Sequence, residues 1–204
     1  MGFTSFRINM KLLTSEPVKG LRFNYAYDGS VLVYRVLDEA AKTCEVFGVD
    51  NVTDIVNIPS TAVYEDYSGG TTVTKVSYTV TGIGKQAFRW VNYGITNITI
   101  PNTVTSIGDE AFGYISGLTN VTIPNSVTYI GNYAFSGCES LTNMIIPNSV
   151  TSIGRAAFRD CTNLSEVTLS NSLMKISNST FGYCSNLKTI TIPNSVQSID
   201  DYAF

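Results

Sequence analysis

Apolar and polar positions along this chain recur in fixed columns rather than in one long amphipathic stretch. From about residue 95 a phrase returns as Ile100-Pro101-Asn102-Thr103, Ile123-Pro124-Asn125-Ser126, Ile146-Pro147-Asn148-Ser149 and Ile192-Pro193-Asn194-Ser195. The prolines at 101, 124 and 147 step by 23 residues; the next step lands on Ser170 and the one after on Pro193, so the phase survives the loss of a proline. Val104, Val127, Val150, Leu173 and Val196 keep the same step. So do Ile107, Ile130, Ile153, Ile176 and Ile199, and then Phe112, Phe135, Phe158, Phe181 and Phe204. Ala111, Ala134, Ala157, Thr180 and Ala203 make a fourth column. Phe88 precedes Phe112 by 24, which places one extra residue between Arg89 and Ile95. Self-similarity at such a period marks a stacked-repeat architecture.

One unit reads Leu118-x-x-Val121-x-Ile123-Pro124-x-x-Val127-x-x-Ile130-Gly131-x-x-Ala134-Phe135-x-x-Cys138. The alternation at Val121 and Ile123 predicts a short strand with alternate residues inside. Pro124 has no N–H to donate and ends that ladder. Val127 to Ile130 predicts a second short extended segment, Gly131 a turn at positive φ, and Ala134-Phe135 a compact turn, helical or 3₁₀. Each unit then makes one coil, with strands stacked ~4.8 Å apart in a parallel sheet. A lone coil gains ~1.5–3 kcal/mol from each large apolar side chain it buries, but ordering it costs ~1–2 kcal/mol per residue. Stacking supplies the missing backbone partners and a continuous core. The expected fold is mainly β: a solenoid of 23-residue coils with a stacked parallel sheet.

Residues 21–88 break the period. Leu21 to Leu37 alternates in part around Tyr27-Asp28-Gly29-Ser30, a hairpin pattern, and Lys42 to Val49 predicts a further strand. Val56-Asn57-Ile58-Pro59 matches the first half of a unit and Val80-x-x-Ile83-Gly84-x-x-Ala87-Phe88 the second. The insert between them holds Tyr67-Ser68-Gly69-Gly70-Thr71, again a hairpin pattern. Residues 21–88 are therefore read as an N-terminal β-hairpin cap merging into a degenerate first coil, and 89–204 as the regular array. A cap shields the core and the unpaired strand edge of the first coil. Residues 1–20 lack the continuous apolar core of a signal peptide and are read as a disordered leader or appended segment. The chain stops at Phe204 inside a unit, which is read as a longer array cut mid-repeat. Alternatively, the uncapped end is covered by self-association.

The phrase Ile-Pro-Asn-Ser-Val-Thr-x-Ile-Gly-x-x-Ala-Phe-x-x-Cys-x-x-Leu resembles the BspA-like class of leucine-rich repeats, closely over residues 95–204 and loosely over 52–88. The resemblance implies a leucine-rich-repeat solenoid in a bacterial or protozoan surface protein, with roles in adhesion to host proteins or other cells and no shared catalytic residues. The chain departs from the commonest leucine-rich pattern, with Ser126 or Ser149 where Asn or Cys is usual, so the ordinary buried asparagine ladder is not expected.

Composition narrows the chemistry. Charged residues are 14% of the chain and net charge is −3, so the basic footprint of a nucleic-acid binder is missing. No stretch approaches the ~20 apolar residues of a membrane-spanning helix, and membrane insertion is not expected. The chain has no histidine, which removes Ser-His-Asp and Cys-His nucleophilic systems and the usual zinc sites. The acidic pairs Asp38-Glu39, Glu65-Asp66, Asp109-Glu110 and Asp200-Asp201 read as solvated loop residues, without the oxygen-ligand spacing of a calcium loop. Cys138, Cys161 and Cys184 share a column with Val91 and Ile115 and read as small core hydrophobes; Cys44 lies outside the array. Sequons at Asn51, Asn97, Asn120, Asn163 and Asn178 read as chance in an Asn/Thr-rich repeat. No enzyme activity, metal or cofactor is expected.

Two surfaces remain for a partner. The outward strand positions form the columns Asn97, Asn120, Asn143, Glu166, Thr189 and Thr99, Thr122, Ile145, Thr168, Thr191. These are read either as a solvated face with Thr chosen for strand propensity or as a flat docking face. The second surface is aromatic: Trp90, Tyr114 and Tyr183 share a column, with Gly137 and Asp160 between, and Tyr93 lies near Trp90. Trp and Tyr are enriched in binding hot spots. Tyr129 and Tyr133 point outward elsewhere on the coil. The expected role is a non-enzymatic module that binds a protein or glycan in an extracellular or cell-surface setting; the alternative is a structural spacer or stalk that presents another domain.

Overall fold

The computed structural model describes residues 20–27, 29–66, 73–91 and 94–204. Residues 1–19 of the expected leader, Asp28 of the first turn, the 67–71 loop and Tyr93 fall outside them. Six strands come first, all but β4 of six residues or more: β1 (Arg22–Tyr27), β2 (Ser30–Asp38), β3 (Thr43–Asn51), β4 (Ile55–Asn57), β5 (Thr61–Asp66) and β6 (Thr74–Ile83). Nine short ones follow: β7 (Asn97–Thr99), β8 (Ser106–Ile107), β9 (Asn120–Thr122), β10 (Tyr129–Ile130), β11 (Asn143–Ile145), β12 (Ser152–Ile153), β13 (Glu166–Thr168), β14 (Lys175–Ile176) and β15 (Ser198–Ile199). No helix occurs among the described residues.

The array is held by parallel ladders one period apart. Asn97 pairs with Asn120 and Asn143 with Glu166 on one side of each coil. Ser106 pairs with Tyr129, and Tyr129 with Ser152, on the other. The second ladder runs β6-β8-β10-β12 and joins an antiparallel meander, β1-β2-β3, through β3 and β6, which pair in parallel. β5 and β6 are antiparallel, Thr61 opposite Thr79 and Asp66 opposite Thr74. β4 pairs across this insert with β7, Ile55 opposite Asn97. Phe23, Tyr34, Tyr64 and Tyr78 gather inside the N-terminal sheet, with Phe23 5.5 Å from Tyr34 and 5.6 Å from Tyr78 between ring centroids.

Two expectations are corrected in the turn of each coil. Gly131 does not have a positive φ. The left-handed residues are mostly non-glycine: Glu110, Tyr133, Ala156 and Ser179 in one column, φ between 53° and 55°, and Trp90, Tyr114, Asp160 and Tyr183 in another, φ between 59° and 63°, which Gly137 shares at 72°. Nor is the turn helical. Its N–H groups alternate in direction: Tyr133, Phe135 and Gly137 donate to Arg155, Ala157 and Arg159 of the next coil at 2.7–2.9 Å, while Ser136 and Cys138 donate back within their own coil. The turn is thus a third inter-coil ladder. A non-glycine residue at positive φ costs ~1–3 kcal/mol and persists only where its surroundings over-determine it; here the stacked bonds do so.

Gly131 answers to a different constraint. A Cβ there would lie 2.5 Å from the Asp109 backbone nitrogen; at Gly154 it would lie 2.5 Å from that of Asn132. These glycines let one coil's backbone lie against the next. In the following coil Ser177 takes this position, and its hydroxyl donates to the Ile153 carbonyl at 2.7 Å. The ladder is interrupted there, between β12 and β14, and resumes at β15, where Asp200 N–H donates to Ile176.

The core runs along the coil axis. Phe88, Phe112, Phe135, Phe158, Phe181 and Phe204 form a continuous ring stack with centroids 5.1–5.9 Å apart. The column where an asparagine ladder would run bonds only in part: Ser126 donates to Val104 O at 2.6 Å and Ser195 to Leu173 O at 2.8 Å, while the Thr103 and Ser149 hydroxyls are buried without a partner among the described residues. Ser172 is exposed, and Ser170, standing where the proline is lost, donates to Val150 O at 2.7 Å instead.

Candidate binding surfaces

The array is rich in polar side chains, and hydrogen bonding separates those with an internal task from those without one. Thr105, Thr128 and Thr151 each donate a hydroxyl to the backbone carbonyl of the coil before, at 3.2–3.4 Å. Thr119 does the same to Thr96 O at 2.9 Å, and Ser165 to Thr142 O at 3.2 Å. Asp109 accepts the Asn132 N–H at 2.8 Å. These columns are explained by the stacking of the coils.

The strand-face columns have no such task. Thr99, Asn120, Thr122, Asn143, Ile145, Glu166 and Thr168 are exposed and Asn97 is half-buried, and none of these side chains forms a hydrogen bond among the described residues. Between them Ile98, Val121 and Met144 point inward and are buried. Ile145 is 71% exposed in the middle of this face. Thr189 and Thr191, expected on the same strands, are exposed but lie outside any strand.

The aromatic column divides. Trp90 and Tyr114 stack face to face, centroids 4.0 Å apart and planes 1° from parallel. Trp90 is 57% exposed. Tyr183, in the same column, stands apart from this pair, with the Arg159 guanidinium 4.9 Å from its ring. Tyr129 is exposed on β10, and Tyr133 is half-buried. Beneath the stacked pair lies a polar cluster that the repeat columns did not single out. Arg89 pairs with Glu110 at 2.6 Å, Gln86 Nε2 donates to Glu110 at 3.2 Å, and the Arg89 guanidinium sits 5.5 and 5.8 Å from the Trp90 and Tyr114 ring centres. The one sequence signal was the extra residue after Arg89, which marks this coil as irregular.

The cysteine column is core. Cys138, Cys161 and Cys184 are buried and free, and each thiol donates to a phenylalanine carbonyl of the coil before, at 3.1–3.3 Å. Burial pushes Cys138 from an ordinary 9.0 to about 12 and Cys184 to about 11, and it raises Cys161 as well. A group whose folded pKa is raised stabilises the fold fully below its unfolded value and loses that contribution as pH rises towards the folded one. The melting temperature is therefore expected to hold up to about pH 9 and fall above it, with the thiols unreactive to a disulfide reagent at pH 7 until the protein unfolds. Rapid native-state labelling at pH 7 would contradict their burial. No group of three or more metal-ligating side chains occurs among the described residues, and no helix among them is long and apolar enough to cross a membrane.

Parallel coils stacked through short strands define a repeat solenoid. The chain belongs to the BspA-type leucine-rich repeat family, which matches residues 81–204 in six copies. It is similar to a leucine-rich repeat protein from Bacteroides ovatus, 29% identical with a TM-score of 0.64 over 85% of this chain and 49% of that one. It is also similar to the pneumococcal vaccine antigen PcpA, 25% identical with a TM-score of 0.66 over 88% of this chain and 46% of that one. This chain spans about half the length of each of these two proteins. The leucine-rich repeat protein of T. pallidum shares the fold, with 24% identity and a TM-score of 0.64 over 82% of each chain. No curated protein matches the chain.

Proposed function

We propose that this chain is a non-enzymatic binding module of a secreted or cell-surface protein, docking a protein or glycan ligand by its strand face. The observation that carries this reading is the contrast between columns. Thr105, Thr128 and Thr151 spend their hydroxyls on neighbouring coils. The columns of Asn120 and Thr122 leave their amide and hydroxyl groups to solvent, around an Ile145 that is 71% exposed. Strand propensity is met by threonine elsewhere on this face, and an apolar anchor in a polar field suits a binding hot spot. Surface display is supported by family membership and by a relative that is a vaccine antigen. The lack of histidine supports the non-catalytic reading.

The test is a screen of the purified chain against immobilised extracellular-matrix proteins and glycans, followed by Ile145→Arg. Because Ile145 is solvent-exposed, this substitution is expected to leave the melting temperature unchanged and weaken binding about tenfold or more, the scale of a hot-spot residue. A ligand bound equally well by Ile145→Arg would move the site off the strand face. The absence of any ligand would favour a spacer that presents another domain.

A further inference from the structure

We propose that Trp90 and Tyr114, with Arg89 and Glu110 beneath them, form a binding platform for a neutral pyranoside. The sugar lays a C–H face on the indole and turns its hydroxyls to the polar pair. This rests on the reading of the chain as a binding module and adds to it a second site, away from the strand face, with a stated ligand class.

The platform is exposed and rigid together. Tyr114 covers one face of the indole at 4.0 Å, so the 57% exposure of Trp90 comes from the opposite face and the ring edge. Tyr114 is held in turn by a missing side chain: a Cβ on Gly137 would lie 2.7 Å from Tyr114 Cδ1. Gly137, at φ 72°, thus leaves the space that the tyrosine ring fills. Arg89 is fixed by Glu110 at 2.6 Å, and Glu110 also takes a hydrogen bond from Gln86. Rings and donors fixed in advance lose little freedom on binding. The left-handed backbone of Trp90 and Tyr114 is a general property of the turn, shared by Asp160 and Tyr183.

The chemistry of the surroundings selects the ligand. A cation is disfavoured by Arg89, and two parallel rings do not make the enclosing cage that quaternary ammonium groups require. An anion meets Glu110. Because Arg89 and Glu110 neutralise each other, the cluster offers hydrogen bonds without net charge. A protein hot spot is set within a patch that excludes water, yet the side chains joined to this cluster, Arg89, Glu110 and the exposed Gln86, are polar. One flat apolar face with a polar border matches a sugar ring, which is apolar on its C–H face and ringed by hydroxyls.

Trp90 is the single tryptophan of the chain, so its fluorescence reports on this site alone. The experiment titrates the intact protein with cellotriose, N-acetylated chitotriose, maltotriose and mannotriose while following that emission, with calorimetry in parallel. A saturable emission shift is expected with at least one of them, with an affinity of roughly millimolar or tighter. Trp90→Ala is expected to weaken calorimetric binding about tenfold or more, and Tyr114→Ala to do so with unchanged far-ultraviolet circular dichroism. No saturable change with any of the four up to ~10 mM overturns the proposal, as does calorimetric binding that Trp90→Ala leaves intact. A protein ligand that needs Trp90 and is indifferent to these sugars overturns it too. Failure here leaves the strand-face reading standing wherever Ile145→Arg still abolishes capture of a ligand; loss of that result alone leaves the sugar platform standing.

Discussion

Phe135→Ala is expected to destabilise the chain by about 3–5 kcal/mol, a large fraction of what a domain of this size has. Phe135 is fully buried and stacks between Phe112 at 5.1 Å and Phe158 at 5.3 Å. Removing it takes away transferred apolar surface, leaves a cavity and breaks two ring contacts at once. The cavity cannot close easily, because the neighbouring coils are held apart by their backbone ladders: Phe135 N–H is bonded to Ala157 O at 2.7 Å and Phe112 N–H to Ala134 O at 2.8 Å. In a solenoid, stability is nearly a sum over coils and their interfaces, so a defect in the middle weakens the link between two halves. Urea denaturation is expected to show an earlier and broader transition. Phe204→Ala is the control: its ring is 52% exposed and touches a single ring of the stack, Phe181, so the cost is expected to be well under half as large. Equal effects from the two substitutions would mean that the stack is not what joins the coils.

Gly131→Ala is the second large effect, and its origin is opposite. Adding one methyl places a Cβ 2.5 Å from both the Asp109 nitrogen and the Gly108 carbonyl carbon. Both are backbone atoms in a bonded ladder, so no flexible side chain can yield. Relief requires the coils to part, which strains the 2.8 Å bond from Gly131 N–H to Ile107 O and the pairing of β8 with β10. Overpacking of this kind costs about 1–3 kcal/mol, or more where the backbone must move. The interruption beside Ser177 shows the native form of the same conflict. There a side-chain hydroxyl takes over the carbonyl that a glycine N–H serves in earlier coils. Thermal melting of Gly131→Ala beside Gly94→Ala checks this. Gly94 has open space around it, so its substitution carries only the strain of a positive φ, 73°. A Gly131→Ala melting temperature at or above that of Gly94→Ala would contradict close backbone contact as the reason for this glycine.

Much of the architecture was legible because periodicity is a property of sequence. The columns of Phe112, Ile107 and Val104 repeat because each coil buries the same side chains against the next, and pairing Asn97 with Asn120 follows from that step. The free strand face was legible for the same reason: alternate residues of a strand face opposite ways, so inward Val121 implies outward Asn120 and Thr122. What could not be read was what each polar residue does. Thr128 and Thr122 are both exposed threonines, yet only Thr128 donates to a neighbouring coil. That difference depends on where the adjacent carbonyl lies, which no single coil contains. Arg89, Glu110 and Gln86 were hidden likewise, because they come together from two coils, 21 to 24 residues apart.

The turn draws the boundary most clearly. Its sequence, Ile-Gly-x-x-Ala-Phe, determined that a bend follows each second strand and that Phe is buried there. It also drew attention to glycine as the residue able to adopt positive φ. Only the tertiary structure decided that the glycine is needed for contact between backbones, and that Tyr133 and its column mates bear the left-handed conformation instead. The physical reason is that backbone strain is local but its compensation is not: the bonds from Tyr133, Phe135 and Gly137 run to the next coil. The chain's own pattern determined the repeat, its core and its outward faces. Stacking alone decided which residues absorb strain, which polar groups are already engaged, and which are left to solvent.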